Sequence, residues 1–319
     1  MDIIAPLGTG IGEVVGPTYA AYEALLKKPK TKDAIHNVKK ETFSYGPHER
    51  QKLDLYTAPT TQTSGSQKAR PILVFSYGGG FASGDKILDA FGDGVVYANV
   101  GAFFASKLEF DTVVLDYRLL KHGGRYPSGG EDFKLALNWI QDKLQQEEKR
   151  EIYVVANSAG AVHFTTWLFA PDFVKERAEL LSGSSGVQLT KVVLLGCPFR
   201  LDYNGGMHPM LQTYYGGQTE TKKAEPSALL LAAIEESESF DMKAMPPILT
   251  AVAELDPDFI TEPGQEFSKL WKEHGGTGEF FVLSGHNHIS PPLSLGTGIA
   301  EEERWGYQVA RWLQRGTLE

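Results

Sequence analysis

The sequence predicts an α/β fold in which a mostly parallel sheet is covered by helices on both faces. Apolar, strand-like runs alternate with helical patterns through most of the 319 residues. Most of these runs are continuously rich in Val, Ile, Leu or Phe, which is typical of strands buried on both faces. The composition, 42% hydrophobic and 22% charged, supplies enough apolar material for a large core.

The predicted strands are short and evenly distributed. Two of them, at residues 42–45 and 52–56, flank the turn at Gly46-Pro47. Six strands of the buried type follow them, at 72–76, 112–115, 152–155, 192–195, 248–252 and 280–283.

Helical patterns lie between these strands. Within residues 131–146, apolar side chains recur at the spacing of one helix face, at Phe133, Ala136, Leu137, Ile140 and Leu144. Further predicted helices cover 159–168, 227–234, 264–273 and 301–314. Strands and helices that alternate in this way predict a parallel sheet flanked by helices.

Two segments interrupt the alternation. Residues 57–70 are polar and read as an exposed loop. Residues 198–246 carry aromatic side chains, glycines and one Leu-rich helix between two strands. This second segment is too long for a connection and too short for a domain, so we expect a cap or pocket wall. Residues 1–319 are therefore predicted to form a single domain with an insertion at 198–246.

Charge and composition argue against several classes of main partner. The net charge of −9 argues against nucleic acid or an anionic membrane, because both would repel the chain. No run of about 18 apolar residues offers a membrane span. The N-terminal residues lack the basic and long apolar regions of a signal peptide, so we expect a cytoplasmic protein.

The single cysteine, Cys197, excludes an internal disulfide and a multi-cysteine metal site. It follows a predicted strand, but the next residue is Pro198, which has no N–H to serve as an oxyanion donor. We expect a buried structural thiol at this position.

One apolar strand ends in a serine among very small residues, Ala156-Asn157-Ser158-Ala159-Gly160. This segment matches the pattern G-x-S-x-G with alanine in the first glycine position. In such a strand-to-helix turn the serine oxygen projects from the backbone, and the residues two before and two after approach so closely that both must be small. We predict a nucleophile at Ser158, with a serine helix cap as the alternative.

A second signal follows the strand at 72–76, in Tyr77-Gly78-Gly79-Gly80-Phe81. Acyl transfer needs donors directed at the developing oxyanion, and glycine lets backbone N–H groups approach without side chains in the way. The predicted donors are the N–H groups of Gly79, Gly80 and Ala159. A flexible glycine turn is the alternative interpretation.

Neither glycine cluster fits a nucleotide site. The spacing from Gly79 to Gly84 suits a phosphate loop, but the required Lys-Ser/Thr pair does not follow it. In the cluster at residues 8–12, Glu13 occupies the last glycine position of a dinucleotide fingerprint, and no strand precedes it.

A nucleophile of this kind requires an acid and then a histidine, each after a later strand. The strand at 248–252 is followed by Glu254, Asp256 and Asp258, which all qualify by residue type. We predict Asp256 as the acid because it lies in the turn itself. Glu254 is still close to the strand, and Asp258 lies beyond the proline.

Of the eight histidines, His286 and His288 lie in the loop after the strand at 280–283, where the base is expected. We predict His288 as the base and His286 as a residue that orders the loop. Two imidazoles without a matching third ligand are weak evidence for a metal, and no metal site is predicted. His163 and His122 are expected to be structural.

In their order along the chain, these segments resemble the α/β-hydrolase fold, and in particular its hormone-sensitive-lipase-like and kynurenine-formamidase-like esterase branch. The matching stretches are Tyr45-Gly46, Arg50-Gln51-Lys52-Leu53-Asp54-Leu55-Tyr56, Tyr77-Gly78-Gly79-Gly80-Phe81, Asp116-Tyr117-Arg118-Leu119, Pro127, Glu131-Asp132, Asn157-Ser158-Ala159-Gly160, Leu255-Asp256-Pro257 and His286-Asn287-His288. The sequence departs from the branch in having Tyr77 for the usual His, Ala156 for Gly, and His-Ile-Ser for the more usual His-Gly-Phe.

The resemblance implies a carboxylesterase-type serine hydrolase that needs no metal or organic cofactor. Asp256 would orient His288, which would take the Ser158 proton as that oxygen attacks an ester carbonyl. The implied partner is a small-molecule ester. The oligomeric state stays open, with a homodimer as one possibility.

Aromatic side chains of the 198–246 insertion would either form an apolar pocket beside the serine or pack the insertion onto the domain. The predicted pocket, including residues next to the motifs, consists of Tyr77, Phe81, Asn157, Phe199, Tyr203, Met207 and Tyr214. It would suit acyl or aromatic esters of small to medium size. Alternative functions are an arylformamidase-type amidase, a biosynthetic thioesterase or acyltransferase, and a non-catalytic ligand receptor.

Overall fold

The computed structural model describes residues 4–59, 69–236 and 240–319. Of the polar loop predicted at 57–70, positions 60–68 lie outside the described residues. The described chain forms an eight-stranded sheet, with β1 (Lys40–Ser44), β2 (Lys52–Tyr56), β3 (Ile72–Ser76), β4 (Asp111–Leu115), β5 (Arg150–Asn157), β6 (Val187–Leu195), β7 (Ile248–Leu255) and β8 (Gly278–Asn287).

The strands lie in the order β1-β2-β4-β3-β5-β6-β7-β8. Strand β2 is antiparallel to β1 and β4, and the other neighbouring pairs are parallel. The predicted mostly parallel sheet is confirmed. Strand order reverses at β3, which has β4 on one side and β5 on the other. In open α/β sheets, ligands bind at the carboxyl ends of strands at such a point.

All eight predicted strands are present, and several are longer than predicted. Strand β8, predicted over 280–283, extends through polar residues to Asn287, which pairs with Leu255 of β7. Side-chain pattern does not reveal such extensions, because the ladder is made by backbone N–H and C=O groups whatever the side chain.

Helices connect the strands and cover both faces of the sheet, as predicted. They are α1 (Ile11–Leu26), α2 (Pro29–His36), α3 (Ala98–Leu108), α4 (Ser128–Leu144), α5 (Ala159–Phe169), α6 (Val174–Ser182), α7 (His208–Tyr215), α8 (Gln218–Ala224), α9 (Pro226–Glu236), α10 (Asp258–Glu273), α11 (Ser290–Ser294) and α12 (Ala300–Arg315).

Strand β3 shows how the two faces are filled. Ile72 and Val74 pack into one core cluster with side chains of α4 and α5. Leu73 and Phe75 pack into a second cluster with side chains of α1, α3 and α12. Successive side chains of a strand point to opposite faces, so a strand between two helical layers must be apolar throughout.

Helix α1 is not among the predicted helices. Its first half contains two glycines and Pro17, which lower helix propensity. Val14, Tyr22 and Leu26 are nevertheless buried along one face, and packing of that face stabilises the helix where propensity does not.

The predicted insertion at 198–246 lies between β6 and β7 and contains α7, α8 and α9. Helix α9 packs against α5, the helix that begins directly after Ser158. Across the described parts of the chain, no helix is both long and apolar enough to cross a bilayer.

Candidate active site

Ser158 lies at the junction between β5 and α5. Its backbone φ of 52° and ψ of −121° lie outside the regions favoured by residues with a Cβ, and strained positions of this kind cluster at functional sites. The Ser158 N–H donates to the Leu195 carbonyl at 2.8 Å. This hydrogen bond to the neighbouring strand holds the turn, and the serine stays partly exposed.

Close contacts explain why the residues two positions before and two positions after Ser158 are small. A Cβ on Gly160 would lie 2.4 Å from the Tyr77 carbonyl oxygen and 2.6 Å from Ser76 Oγ. Position 160 therefore requires glycine, because the closest atom belongs to the backbone and cannot rotate away. At the other position, the Ala156 methyl is fully buried in the core.

We predict that Gly160→Ala destabilises the protein by about 1–3 kcal/mol, the usual range for overpacking a filled site. Urea denaturation followed by circular dichroism measures this change. Gly206→Ala is the matched control, because no atom lies within 4 Å of the Cβ it would add. Equal stability of the two variants would show that the turn tolerates a larger residue.

Ser158, His288 and Asp256 form one hydrogen-bonded chain. His288 Nε2 lies 2.9 Å from Ser158 Oγ, and His288 Nδ1 lies 2.6 Å from Asp256 Oδ1. Asp256 Oδ2 accepts a hydrogen bond from the Ala253 N–H at 2.7 Å. His288 and Asp256 are only 7% and 5% exposed. A hydroxyl, an imidazole and a carboxylate in this order can pass a proton from serine to histidine.

The other two candidate acids make different contacts. Glu254 Oε2 accepts hydrogen bonds from the Gly285 N–H at 2.6 Å and from Ser284 Oγ at 2.9 Å. These bonds lower the pKa of the Glu254 carboxyl. Asp258 is the first residue of α10. Among the hydrogen bonds of the described residues, those of His288 involve Asp256 and neither of these acids.

His286 lies beneath the loop that carries His288. Its Nδ1 is 2.9 Å from Ser290 Oγ, and that hydroxyl also accepts a hydrogen bond from the Asn287 N–H at 3.1 Å. Burial lowers the pKa of His286 to about 4. His286 is thus placed to connect the loop to the start of α11 and, being buried and bonded elsewhere, does not contact Ser158.

The glycine loop, defined here as residues 77–85, runs beside the serine. A Cβ on Gly78 would lie 2.8 Å from Ser158 Cβ, so glycine permits this close approach. Within the described chain, no backbone hydrogen bond uses the N–H groups of Gly79, Gly80 or Ala159. All three residues line the same cavity as Ser158. Three unpaired donors near one serine can stabilise an oxyanion.

A cavity of about 340 Å³ opens beside Ser158. The predicted pocket residues Phe81, Asn157 and Met207 line it. Most of the other lining side chains are apolar, and none of the lining residues in the described chain is Asp, Glu, Lys or Arg. This volume lies at the lower end of the range for small-molecule sites.

Four predicted pocket residues, Tyr77, Phe199, Tyr203 and Tyr214, are not among those that line this cavity. The Tyr77 side chain is fully buried, and its hydroxyl donates a hydrogen bond to Asp116.

Of the three predicted pocket residues that lie in the insertion, Phe199 and Tyr214 pack against the rest of the protein, and Tyr203 bonds within the insertion. Phe199 stacks on Phe267 of α10 with ring centroids 4.1 Å apart. Tyr214 stacks on Phe81 at 4.7 Å, and Tyr203 bonds to Gln212 of α7. Within the described part of the 198–246 segment, Pro198 and Met207 alone reach the cavity. Of the two interpretations that the sequence leaves open, the contacts of Phe199 and Tyr214 favour packing of these side chains onto the domain, while Pro198 and Met207 contribute to the pocket lining.

Other parts of the cavity lining come from residues that were not predicted from the sequence. Helix α1 contributes Ile11, Val15 and Tyr19, and the segment after the glycine loop contributes Leu88, Phe91 and Tyr97. A usable signal exists in the sequence. Residues 11, 15 and 19 recur at four-residue spacing beside the buried face of α1, which predicts a second apolar stripe.

Cys197 and His163 are buried and are not placed to react at this site. Cys197 is fully buried, and burial raises the pKa of its thiol well above the usual value, which disfavours the reactive thiolate. Burial lowers the pKa of His163 to about 3. Its Nδ1 lies 3.2 Å from the Tyr214 hydroxyl, so this histidine is a neutral core residue.

Solved structures resemble this chain over almost its whole length. A hyperthermophilic esterase from the archaeon Pyrobaculum calidifontis is 20% identical, with a TM-score of 0.62 over 98% of this chain and 96% of its own. A thermophilic carboxylesterase cloned from a metagenomic library is 17% identical, with a TM-score of 0.62 over 98% of both chains. One of two fungal esterases from Rhizomucor miehei is 17% identical, with a TM-score of 0.64 over 93% of this chain and 88% of its own.

No protein-family model matches the chain, and no curated protein sequence does. The similarity to solved structures, together with the sheet order and the position of Ser158, defines the fold: the chain has the α/β-hydrolase fold. At this level of identity the similarity defines fold alone, and activity has to be argued from the site.

Proposed function

We propose that the protein is a serine hydrolase of carboxylic esters, with Ser158 as nucleophile, His288 as base and Asp256 as the orienting acid. The observation that carries this proposal is the unbroken chain of hydrogen bonds, 2.9 Å from Ser158 Oγ to His288 Nε2 and 2.6 Å from His288 Nδ1 to Asp256 Oδ1. Each of these side chains comes from the carboxyl end of a different strand.

Acylation begins when His288 Nε2 takes the proton of Ser158 and the serine oxygen attacks the ester carbonyl. The carbonyl oxygen becomes an oxyanion, which the N–H groups of Gly79, Gly80 and Ala159 bind. Each such donor typically lowers the barrier by about 3–4 kcal/mol. Asp256 holds Nδ1 of His288 protonated and stabilises the imidazolium that forms.

The intermediate collapses when His288 gives its proton to the leaving alcohol. Water then attacks the acyl-enzyme with His288 again as base, and the carboxylic acid is released. Every step uses groups of this chain and water.

The cavity suits neutral esters of small to medium size with acyl or aromatic groups. Its 340 Å³ volume is small, and its lining carries no carboxylate, ammonium or guanidinium group among the described residues. A charged group inside it would lose its hydration without gaining an oppositely charged side chain, which is costly.

A panel of p-nitrophenyl esters tests this proposal. We expect kcat/KM for the acetate and butyrate to exceed that for the laurate by about tenfold or more, because a 12-carbon chain overfills a cavity of this size. Formyl-aryl amides and acyl thioesters are assayed in parallel. Faster turnover of either would assign an amidase or a thioesterase, and a preference for the laurate would contradict the proposed pocket.

A further inference from the structure

Arg50 precedes β2 in the sequence, and its side chain reaches both ends of the glycine loop. Its Nη2 donates to the Tyr77 hydroxyl at 2.7 Å and to the Gly84 carbonyl at 3.0 Å. Its Nη1 donates to Asp85 Oδ2 at 2.6 Å. Tyr77 is the first residue of the loop and Asp85 the last, so one guanidinium connects the two ends.

The guanidinium is itself held at the end of β4. Its Nη2 donates to Asp116 Oδ1 at 2.5 Å, and its Nε donates to the Tyr117 carbonyl at 3.2 Å. The Tyr77 hydroxyl donates to the same Asp116 oxygen. Arg50 is only 9% exposed. Arginine suits this position because its planar fork presents several donors in fixed directions, whereas lysine presents one compact charge.

The first of the two ends that Arg50 holds is close to the serine. The Tyr77 carbonyl lies against Gly160, and Gly78 lies against Ser158, with no space for a Cβ at either glycine. A displacement of the loop therefore changes the positions of the Gly79 and Gly80 N–H groups relative to Ser158. Misplacement of a reacting group by about 1 Å can cost about 100-fold in rate.

We propose that Arg50 is a positioning residue for ester hydrolysis, which fixes both ends of the glycine loop and so keeps the Gly79 and Gly80 N–H groups where the oxyanion forms. This inference rests on the proposed esterase function. Arg50 is not among the residues that line the cavity, so it acts through the loop and not on the substrate.

The variant Arg50→Lys tests this role. It keeps a positive charge beside Asp116 and loses the planar guanidinium that binds both ends of the loop. We expect kcat for p-nitrophenyl butyrate to fall by about 10- to 100-fold, with KM changed less than about threefold, since only transition-state contacts are displaced. A trifluoromethyl ketone, which forms a tetrahedral oxyanion adduct with the serine, should lose affinity by a similar factor.

Arg118→Lys is the matched control. Arg118 follows β4. Like Arg50, it pairs with two carboxylates, Asp132 at 2.9 Å and Glu131 at 2.8 Å, but its hydrogen bonds do not include the glycine loop. We expect kcat of this variant to stay within about threefold of the parent, because the Arg118 side chain does not hold the loop that carries the oxyanion donors.

Tyr77→Phe provides a second test in case Arg50→Lys does not fold. It keeps the ring and removes the hydroxyl that Arg50 binds. As for Arg50→Lys, kcat should fall while KM stays unchanged. Folded variants with the parent kcat and the parent ketone affinity would overturn the positioning role. A parent protein that hydrolyses no ester would overturn the proposed function itself, which is a separate result.

Discussion

Replacing Ser158 by alanine is expected to lower kcat for ester hydrolysis by about 10⁴- to 10⁶-fold, the loss that follows removal of a catalytic serine. The variant lacks the oxygen that attacks the carbonyl, and the oxyanion donors alone give weak residual catalysis. Since only one partly exposed oxygen is removed, the free energy of unfolding should change by about 0.5 kcal/mol or less. Initial rates with p-nitrophenyl butyrate and urea denaturation measure both quantities.

Ser182→Ala serves as the matched control for this change. Ser182 is an exposed serine at the end of α6, where its hydroxyl donates to the Glu179 carbonyl. This variant should keep the parent rate. If Ser158→Ala retained a rate close to that of the parent, the nucleophile would have to be another residue.

Replacing Asp256 by asparagine is expected to lower kcat by about 10⁴-fold, as for the equivalent change in serine proteases. The carboxylate of Asp256 accepts from Nδ1 of His288 and so leaves Nε2 free to accept the serine proton. An amide N–H can turn toward Nδ1 and favour the opposite tautomer, in which Nε2 carries the hydrogen. The volume of the side chain hardly changes, so folding should survive.

Glu254→Gln is the control that tests whether Asp256, and not its neighbour Glu254, is the catalytic acid. Glu254 lies two residues from Asp256, but its carboxylate binds the backbone at Gly285. The rate of this variant should stay within about twofold of the parent, because the Glu254 carboxylate is exposed and the hydrogen bonds of His288 are made to Asp256 and Ser158. If Glu254→Gln lost activity and Asp256→Asn kept it, the assignment of the acid would be wrong.

The sheet was predictable because a strand buried on both faces must be apolar at every position. Residues 72–75 of β3 satisfy this requirement, and β3 lies in the middle of the sheet between β4 and β5. Polar strand ends were not predictable, since β8 continues to Asn287 through backbone pairing that side-chain pattern does not encode.

The turn at Ser158 was predictable for a steric reason. Few local structures require a very small residue two positions before and two positions after a serine, and the contact between Gly160 and Tyr77 shows the cause. Asp256 was chosen among the acids because it lies in the turn itself, and in the structure its carboxylate lies 2.6 Å from His288 Nδ1. Its role in catalysis stays a prediction.

The pocket was predicted less well because it depends on contacts between segments distant in sequence. Tyr214 and Phe199 are as aromatic as Tyr19, yet the first two pack inward and the third lines the cavity. Residue type alone does not distinguish these outcomes. The contact of Arg50 with Asp85, 35 positions away, likewise joins segments that are distant in the sequence and could not be predicted from residue type.

Labelling with a fluorophosphonate, followed by mass-spectrometric mapping of the modified peptide, tests the central claim most directly. The reagent forms a Ser–O–P bond with loss of fluoride only at a serine whose oxygen is activated by a neighbouring base. A single adduct at Ser158 in the folded protein, absent after His288→Ala or after denaturation, is the predicted result. An unlabelled Ser158 in folded protein, or an adduct at another serine, would contradict the account.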